Sequence, residues 1–321
     1  MTAQRHPDGP VVVVGSGLAG WSAVREFRKV DTATPVLMIT ADAGDFYAKP
    51  ALSNALVQGK VPAQLVTTPA EKMVATLGVT LLQHTRVTGI DVQAQEVHTQ
   101  SKGAFGYRQL VLATGAKAIR LSFMGNATND VMSVNSLDDY AAFRAKLKPQ
   151  ARVLIIGAGL IGCEFANDLA ASGHAVQVVD PGASPLASLL PQEASHALRE
   201  SLAALGVRWH FGTSASSIDR VKDENVVTFA NGQTVVVDVV LSAVGLRADT
   251  ALAQAAGIAA ERGIVVNAQL QTTAPHVYAL GDNTQYASES AGVSRTLPYV
   301  MPIMAAAKVE EGIWHFVDAL G

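Results

Sequence analysis

Two short runs of unbroken apolar residues, each ended by glycine, set the frame of this 321-residue chain. The first is Val11–Val14, with no polar alternation, the form expected of a strand covered on both faces of a parallel sheet. Trp21, Val24, Phe27 and Val30 then recur at helical spacing, and a second apolar run, Val36–Ile39, follows. The pattern predicts strand, tight turn, helix, strand. The same order returns after Arg152: an apolar run at 153–156, a glycine turn, a helix with Ile161, Phe165 and Leu169 on one face, Gly173 as its stop, and a strand at 176–179. One supersecondary unit is used twice.

Between the repeats lie a polar strand-like stretch at 87–99 and the run LVLATGA at 110–116. A matching run, VVLSAVG at 239–245, follows two alternating segments joined by Asn231 and Gly232, a good hairpin signal. Each glycine unit is therefore closed by its own terminal strand. Late in the chain come VYALGD at 277–282 and an alanine-rich helix opened by Pro302. The expectation is an α/β protein of two interleaved Rossmann-like domains: 1–116, then 117–246 inserted, then 247–321 completing the first.

Length agrees, since a chain of this size is expected to bury two cores. With 24 basic against 27 acidic side chains the formal charge is −3, which does not suit a polybasic nucleic-acid binder. No apolar stretch approaches the ~20 residues of a membrane span. The one cysteine, Cys163, excludes an internal disulfide and a Cys-x-x-Cys pair, and fits a reducing, cytoplasmic setting. The histidines show no metal-ligand spacing, so no metal is expected, and there is no GxSxG elbow or Walker loop.

The chemistry concentrates in the turns. In GSGLAG, Gly15 permits the tight turn, Gly17 lets a pyrophosphate approach the backbone, and Gly20 lets helix pack on strand; Ser16, Leu18 and Ala19 fill the loop. The helix start offers N–H groups and partial positive charge to phosphates. Asp42, after Ala41, stands where an acid takes ribose hydroxyls, although Thr40 and Ala41 blur its register. GAGLIG repeats the mechanics with Gly157, Gly159, Leu160, Ile161 and Gly162, and Asp180 ends the next strand. A carboxylate there accepts from a free 2′-hydroxyl and repels a 2′-phosphate, favouring NADH over NADPH. Two grips imply two dinucleotides.

In order, GSGLAG, KPALS, LVLATGA, GAGLIGCEF, VGLRADT and VYALGD resemble the pyridine nucleotide-disulphide oxidoreductase superfamily, glutathione-reductase-like in fold, and within it the FAD-dependent rubredoxin reductases that lack the redox disulfide. The resemblance implies FAD on the first loop, NADH as co-substrate on the second, and Gly281 and Asp282 at the flavin ribitol. It implies crossover contacts at Ala113, Thr114 and Gly115, and at Ala243, Val244 and Gly245. Tyr299 and Val300 would stand near the flavin pyrimidine edge. Val87 reads either as a contact to the flavin adenine or as a plain core valine.

Lys49 and Glu164 read alone are a solvated lysine before a turn and an acid at a helix start. The resemblance gives them catalytic roles, as an ion pair beside the flavin where nicotinamide docks. A cation there stabilises a flavin gaining electrons. Cys163, inside a packed helix start, reads as an inert core residue, so electrons are expected to leave the flavin directly. The implied acceptor is rubredoxin, with a flavorubredoxin or a [2Fe-2S] ferredoxin as the alternative small iron carrier. Family members continue into a C-terminal domain that helps cover the flavin; this sequence stops at Gly321, and reads either as a fragment or as a natural short form with an exposed flavin. That leaves a second reading, a truncated, non-catalytic nucleotide-binding paralogue.

Overall fold

The computed structural model describes residues 6–286, 295–296 and 300–308. They form two compact units: the described parts of Met1–Tyr47, Val66–Lys117 and Arg247–Gly321 make one, and Ala48–Leu65 with Ala118–Leu246 the other.

The first unit is built on a five-stranded parallel sheet in the order Val277–Ala279, Gln109–Leu112, Val11–Val14, Val36–Ile39, Thr80–Leu82. The three inner strands are buried at every position, which is why their sequences run apolar without alternation. The helix Leu18–Val30 buries Trp21, Val24 and Phe27. It ends with Arg28 and Lys29 in its last turn, where cations suit the dipole. Ile303 and Ala307, from the helix Val300–Lys308, join the same core. A three-stranded antiparallel sheet, Val87–Asp91, Glu96–Thr99 and Gly103–Gly106, accounts for the polar stretch.

The second unit repeats the plan with a four-stranded parallel sheet: Arg208–Phe211, Ala175–Asp180, Arg152–Ile156, Val239–Ser242. Its helix, Leu160–Ala171, buries Phe165 and Leu169, and Phe165 meets Phe143 edge-on at 5.8 Å. Gly173, at φ +84°, follows as the stop. The expected hairpin turns at Gly232 (φ +83°) between Glu224–Phe229 and Thr234–Val237. Both glycine motifs thus stand in strand–turn–helix context, and the α/β fold with two Rossmann-like sheets is as expected.

Two details differ from the sequence reading. Ile161, placed on the packed helix face, is 41% exposed, as the second residue of the helix Leu160–Ala171, whose buried positions begin at Gly162. Residues 48–65, expected within the first domain, group with the second unit. Leu52, Ala55 and Leu65 bury their side chains, and the backbone at Leu56 and Val57 is hydrogen-bonded to Asp168 of the helix Leu160–Ala171. Those contacts span more than a hundred residues and leave no local pattern.

Arg152 heads an inner strand of the four-stranded sheet. Its backbone N–H and guanidinium donate to Asp238 at 2.7, 3.2 and 2.8 Å, and the guanidinium reaches Glu224 at 2.6 Å. The hydrogen bonds from Arg152 hold the Asp238 carboxyl below its ordinary value, although burial opposes them. A depressed carboxyl contributes stability that is present above its unfolded-state pKa, about 4, and lost as pH falls toward the folded value. Asp238→Asn should flatten that acid limb while changing the neutral-to-alkaline slope little. Denaturant melts over a pH series check this, and an unchanged acid limb would remove the pair from the account.

Candidate functional site

Each glycine loop is shaped by what its backbone touches. Gly15 has φ +108°, and a Cβ built on it would lie 2.3 Å from the Ala113 carbonyl oxygen. A Cβ on Gly20 would lie 2.0 Å from the Gly15 oxygen, so helix and turn are in direct backbone contact. Gly17 alone looks into open space, with nothing within 4 Å. It caps the helix without a side-chain hydrogen bond and with no acid in the first turn, so the leading N–H groups and positive dipole end are available to an anion. The second loop matches: φ +106° at Gly157, 2.7 Å from Gly157's added Cβ to the Ala243 oxygen, 2.1 Å from Gly162's to the Gly157 oxygen, and nothing within 4 Å of Gly159. Leu160 and Ile161, the residues after Gly159, stay largely exposed. Both loops fit a pyrophosphate.

The two carboxylates are wired differently. Asp42 Oδ1 accepts from the hydroxyls of Ser16 (2.9 Å) and Thr40 (2.6 Å) and from the Gly44 N–H (2.9 Å). Oδ2 is the atom left to take a ribose hydroxyl. Thr40, an interruption in the sequence reading, ties Asp42 back to the loop. The neighbouring Ala41 is exposed. Asp180 Oδ2 accepts the Ala158 N–H and Oδ1 the Gly182 N–H, both at 2.7 Å. Each oxygen keeps a lone pair for a sugar hydroxyl, and the negative charge stands at the turn.

In the first unit, Gly281 (φ +103°) brings the ALGD turn to the start of the glycine-loop helix, where an added Cβ would lie 2.7 Å from Ala19 Cβ. Asp282 follows. Asn283, which sequence reasoning missed, donates to the Leu112 carbonyl (2.9 Å) and the Thr114 hydroxyl (3.1 Å), and Thr114 donates to the Asp249 carbonyl (3.0 Å). Gly115 turns the chain at φ +68°. Val87 is buried in the core cluster just after His84 and Thr85, whose N–H groups donate to the carbonyls of Asp42 and Thr40. In the second unit, Ala243 continues the sheet through its N–H to Ile156, Val244 follows, and Gly245 turns at φ +102°. Val300 begins the last helix, while Tyr299 and most of 285–295 lie outside the described residues.

Also in the second unit, the short helix Lys49–Ser53 meets the glycine-loop helix. Ser53 Oγ donates to Glu164 Oε2 at 2.5 Å, and Lys49 Nζ donates to Asn135 Oδ1 at 3.2 Å. Ser53 and Asn135 were not named from sequence, where a serine and an asparagine in turns carry no signal. Cys163 is buried and its Sγ lies 3.4 Å from the Ala158 carbonyl. Burial first, then Asp180 and Glu164, pushes its thiol up to about 11. Among the described residues no group of three or more His, Cys, Asp or Glu could hold a metal, and no helix is long and apolar enough to cross a membrane.

The family model described as pyridine nucleotide-disulphide oxidoreductase matches residues 9–301. The rubredoxin-NAD(+) reductase of Acinetobacter baylyi is 43% identical over 307 residues, covering 93% of this chain and 76% of the relative. The nitric oxide reductase FlRd-NAD(+) reductase of Aeromonas hydrophila is 40% identical over 298 residues, covering 92% and 74%. Among solved structures, the ferredoxin reductase for the CYP199A2 system of Rhodopseudomonas palustris superposes with a TM-score of 0.87 at 30% identity, over 94% of this chain and 74% of that one. The putidaredoxin reductase of the covalent complex with putidaredoxin gives 0.87 at 27%, over 94% and 74%.

The glycines separate binding from folding. Gly159→Ala should cost under ~1 kcal/mol of stability while lowering NADH affinity, whereas Gly162→Ala should cost roughly 1–3 kcal/mol by forcing helix and turn apart. Thermal melts and NADH titration check both, and equal stability of the two variants would overturn the contrast. Native protein should also resist iodoacetamide at mildly alkaline pH and become labelled at Cys163 only on unfolding, by mass spectrometry.

Proposed function

We propose that this chain, which belongs to the pyridine nucleotide-disulphide oxidoreductase family, carries electrons from NADH through bound FAD to a small iron-containing carrier, rubredoxin first among the candidates. The observation that carries this reading is the paired loops. Each unit presents an open middle glycine, an uncapped helix start and a carboxylate at the turn, which is what one dinucleotide per unit requires. When bound, FAD supplies the exchange between a two-electron donor and a one-electron acceptor.

The residues divide the work. Gly15, Gly17 and Gly20 hold the FAD pyrophosphate against the helix start, and Asp42 Oδ2 takes the adenosine ribose. Gly281 and Asp282 extend the site along the same helix start. Gly157, Gly159 and Gly162 hold NADH, Asp180 accepts its ribose hydroxyls, and the Asp180 charge disfavours the extra phosphate of NADPH. Lys49 and Glu164 position the nicotinamide end. Ser53 orients Glu164 through its hydrogen bond, and Asn135 orients Lys49. Orientation of this kind, more than proton transfer, is what such a reaction asks of the protein.

Rubredoxin is favoured by the 43% identity to the Acinetobacter reductase. A flavorubredoxin is the alternative supported by the Aeromonas relative, and a ferredoxin by the solved reductases. The single cysteine supports a cytoplasmic setting.

Purified protein reconstituted with FAD should show a flavin spectrum that bleaches on anaerobic NADH and recovers on addition of oxidised rubredoxin. NADPH should bleach it about tenfold more slowly or worse, a difference of ~1.4 kcal/mol. A protein that stays colourless after added FAD would put the nucleotide-binding, non-catalytic reading first. Recovery with ferredoxin but not rubredoxin would change the carrier and leave the half-reaction standing.

A further inference from the structure

We propose that Asp168 is a positioning residue for this site: its carboxylate clamps the backbone of Leu56 and Val57 and thereby holds Ser53 and Lys49 in register with Glu164. The inference rests on the reading that Lys49 and Glu164 serve reduction of the flavin by NADH.

Asp168 lies one helical turn beyond Glu164 on Leu160–Ala171, so both carboxylates project from one face of the helix. Both address the same stretch of chain. Glu164 accepts from the Ser53 hydroxyl, Asp168 Oδ2 from the Leu56 N–H at 3.0 Å, and Asp168 Oδ1 from the Val57 N–H at 2.8 Å. Asp168 is 0% exposed. A fully buried carboxylate is a costly way to fill space, and an aliphatic side chain would pack the helix better. Its two oxygens instead satisfy two successive N–H groups that have no helix or sheet to satisfy them.

Side-chain burial does not hold this stretch in place at Val57, which is 50% exposed. The backbone is gripped instead. Arg144 adds a second point of attachment, its guanidinium donating to the Lys60 carbonyl and to the Tyr140 hydroxyl. Burial pushes the Asp168 carboxyl pKa up, and the Val57 and Leu56 N–H groups and then the Arg144 guanidinium oppose it. Residues 53, 56, 57 and 60 are thus anchored in turn, and the helix that bears Lys49 leads directly into them.

The test compares wild-type holoenzyme with Asp168→Asn, Ser53→Ala and the double variant by anaerobic stopped-flow reduction with NADH. Asparagine offers one acceptor oxygen and turns an N–H donor toward the second amide, so the clamp opens on one side. Asp168→Asn should lower the limiting reduction rate about tenfold or more and leave the NADH dissociation constant within about twofold, since a small misplacement acts on orientation. Ser53→Ala should also slow reduction, and the double variant should be no slower than Asp168→Asn alone, because both act through one register.

A wild-type limiting rate in Asp168→Asn, or effects that multiply in the double variant, would overturn the proposal. Should Asp168→Asn fail to fold or to hold flavin, hydrogen exchange on the wild-type protein decides. The Leu56 and Val57 amides should be protected comparably to the helix Leu160–Ala171, and free exchange there sinks the clamp. A wild-type protein that NADH does not reduce defeats the functional reading, while the exchange result still stands or falls by itself.

Discussion

The contact between the third glycine of each loop and the carbonyl of the first fixes much else in both units. A methyl on Gly20 would lie 2.0 Å from the Gly15 oxygen and one on Gly162 2.1 Å from the Gly157 oxygen. With no side chain between them, strand, turn and helix are packed at backbone distance. The helix then lies close over its sheet, burying Trp21, Val24 and Phe27 in one unit and Phe165 and Leu169 in the other. Its first N–H groups are also held beside the middle glycine, where nothing else stands. Packing falls to the first and third glycines and the opening for a phosphate to the middle one, so the two demands meet in one short loop on separate residues.

Around this shared constraint the two copies diverge. Asp42 is held by two hydroxyls and one N–H, all on Oδ1, and Asp180 by two N–H groups, one on each oxygen. The first arrangement leaves one carboxylate oxygen for a ligand. The second builds the carboxylate into the turn and keeps its charge beside the loop, which suits discrimination against a phosphorylated ribose. Duplicated geometry with different carboxylate wiring would let the two units hold their proposed dinucleotides differently.

The readable part of this protein was the part encoded locally. Glycine spacing, unbroken apolar strands and the Asn231–Gly232 pair each work within a few residues, and both loops, both parallel sheets and the hairpin follow from them. Ser53, Asn135, Asp168 and Asn283 were not readable, because each acts across the chain. Ser53 meets Glu164 at a separation of 111 residues and Asn283 meets Leu112 at 171. A serine in a turn looks the same whether or not a carboxylate waits there. Asp168 was hidden differently: four residues beyond Glu164 it reads as an ordinary polar helix position, and only its complete burial reveals it. Residues 48–65 moved between units for the same reason.

The state of Cys163 bears on how electrons leave. A relay through cysteine sulfur requires a thiolate or a disulfide within reach of the reduced cofactor. Here the only cysteine is buried in the first turn of the helix Leu160–Ala171, its thiol is pushed up to about 11, and its Sγ lies 3.4 Å from the Ala158 carbonyl. Asp180 and Glu164, the acids proposed to serve the nucleotide, are the charges that further suppress its ionisation. The same side chains that would make the loop a nucleotide site therefore add to the effect of burial on its thiol. That couples the two features and directs the proposed electron exit to the flavin itself. Selection among the proposed carriers would then fall to surface complementarity. A chain of net charge −3 would steer an acidic carrier through a local cluster of its 24 basic residues.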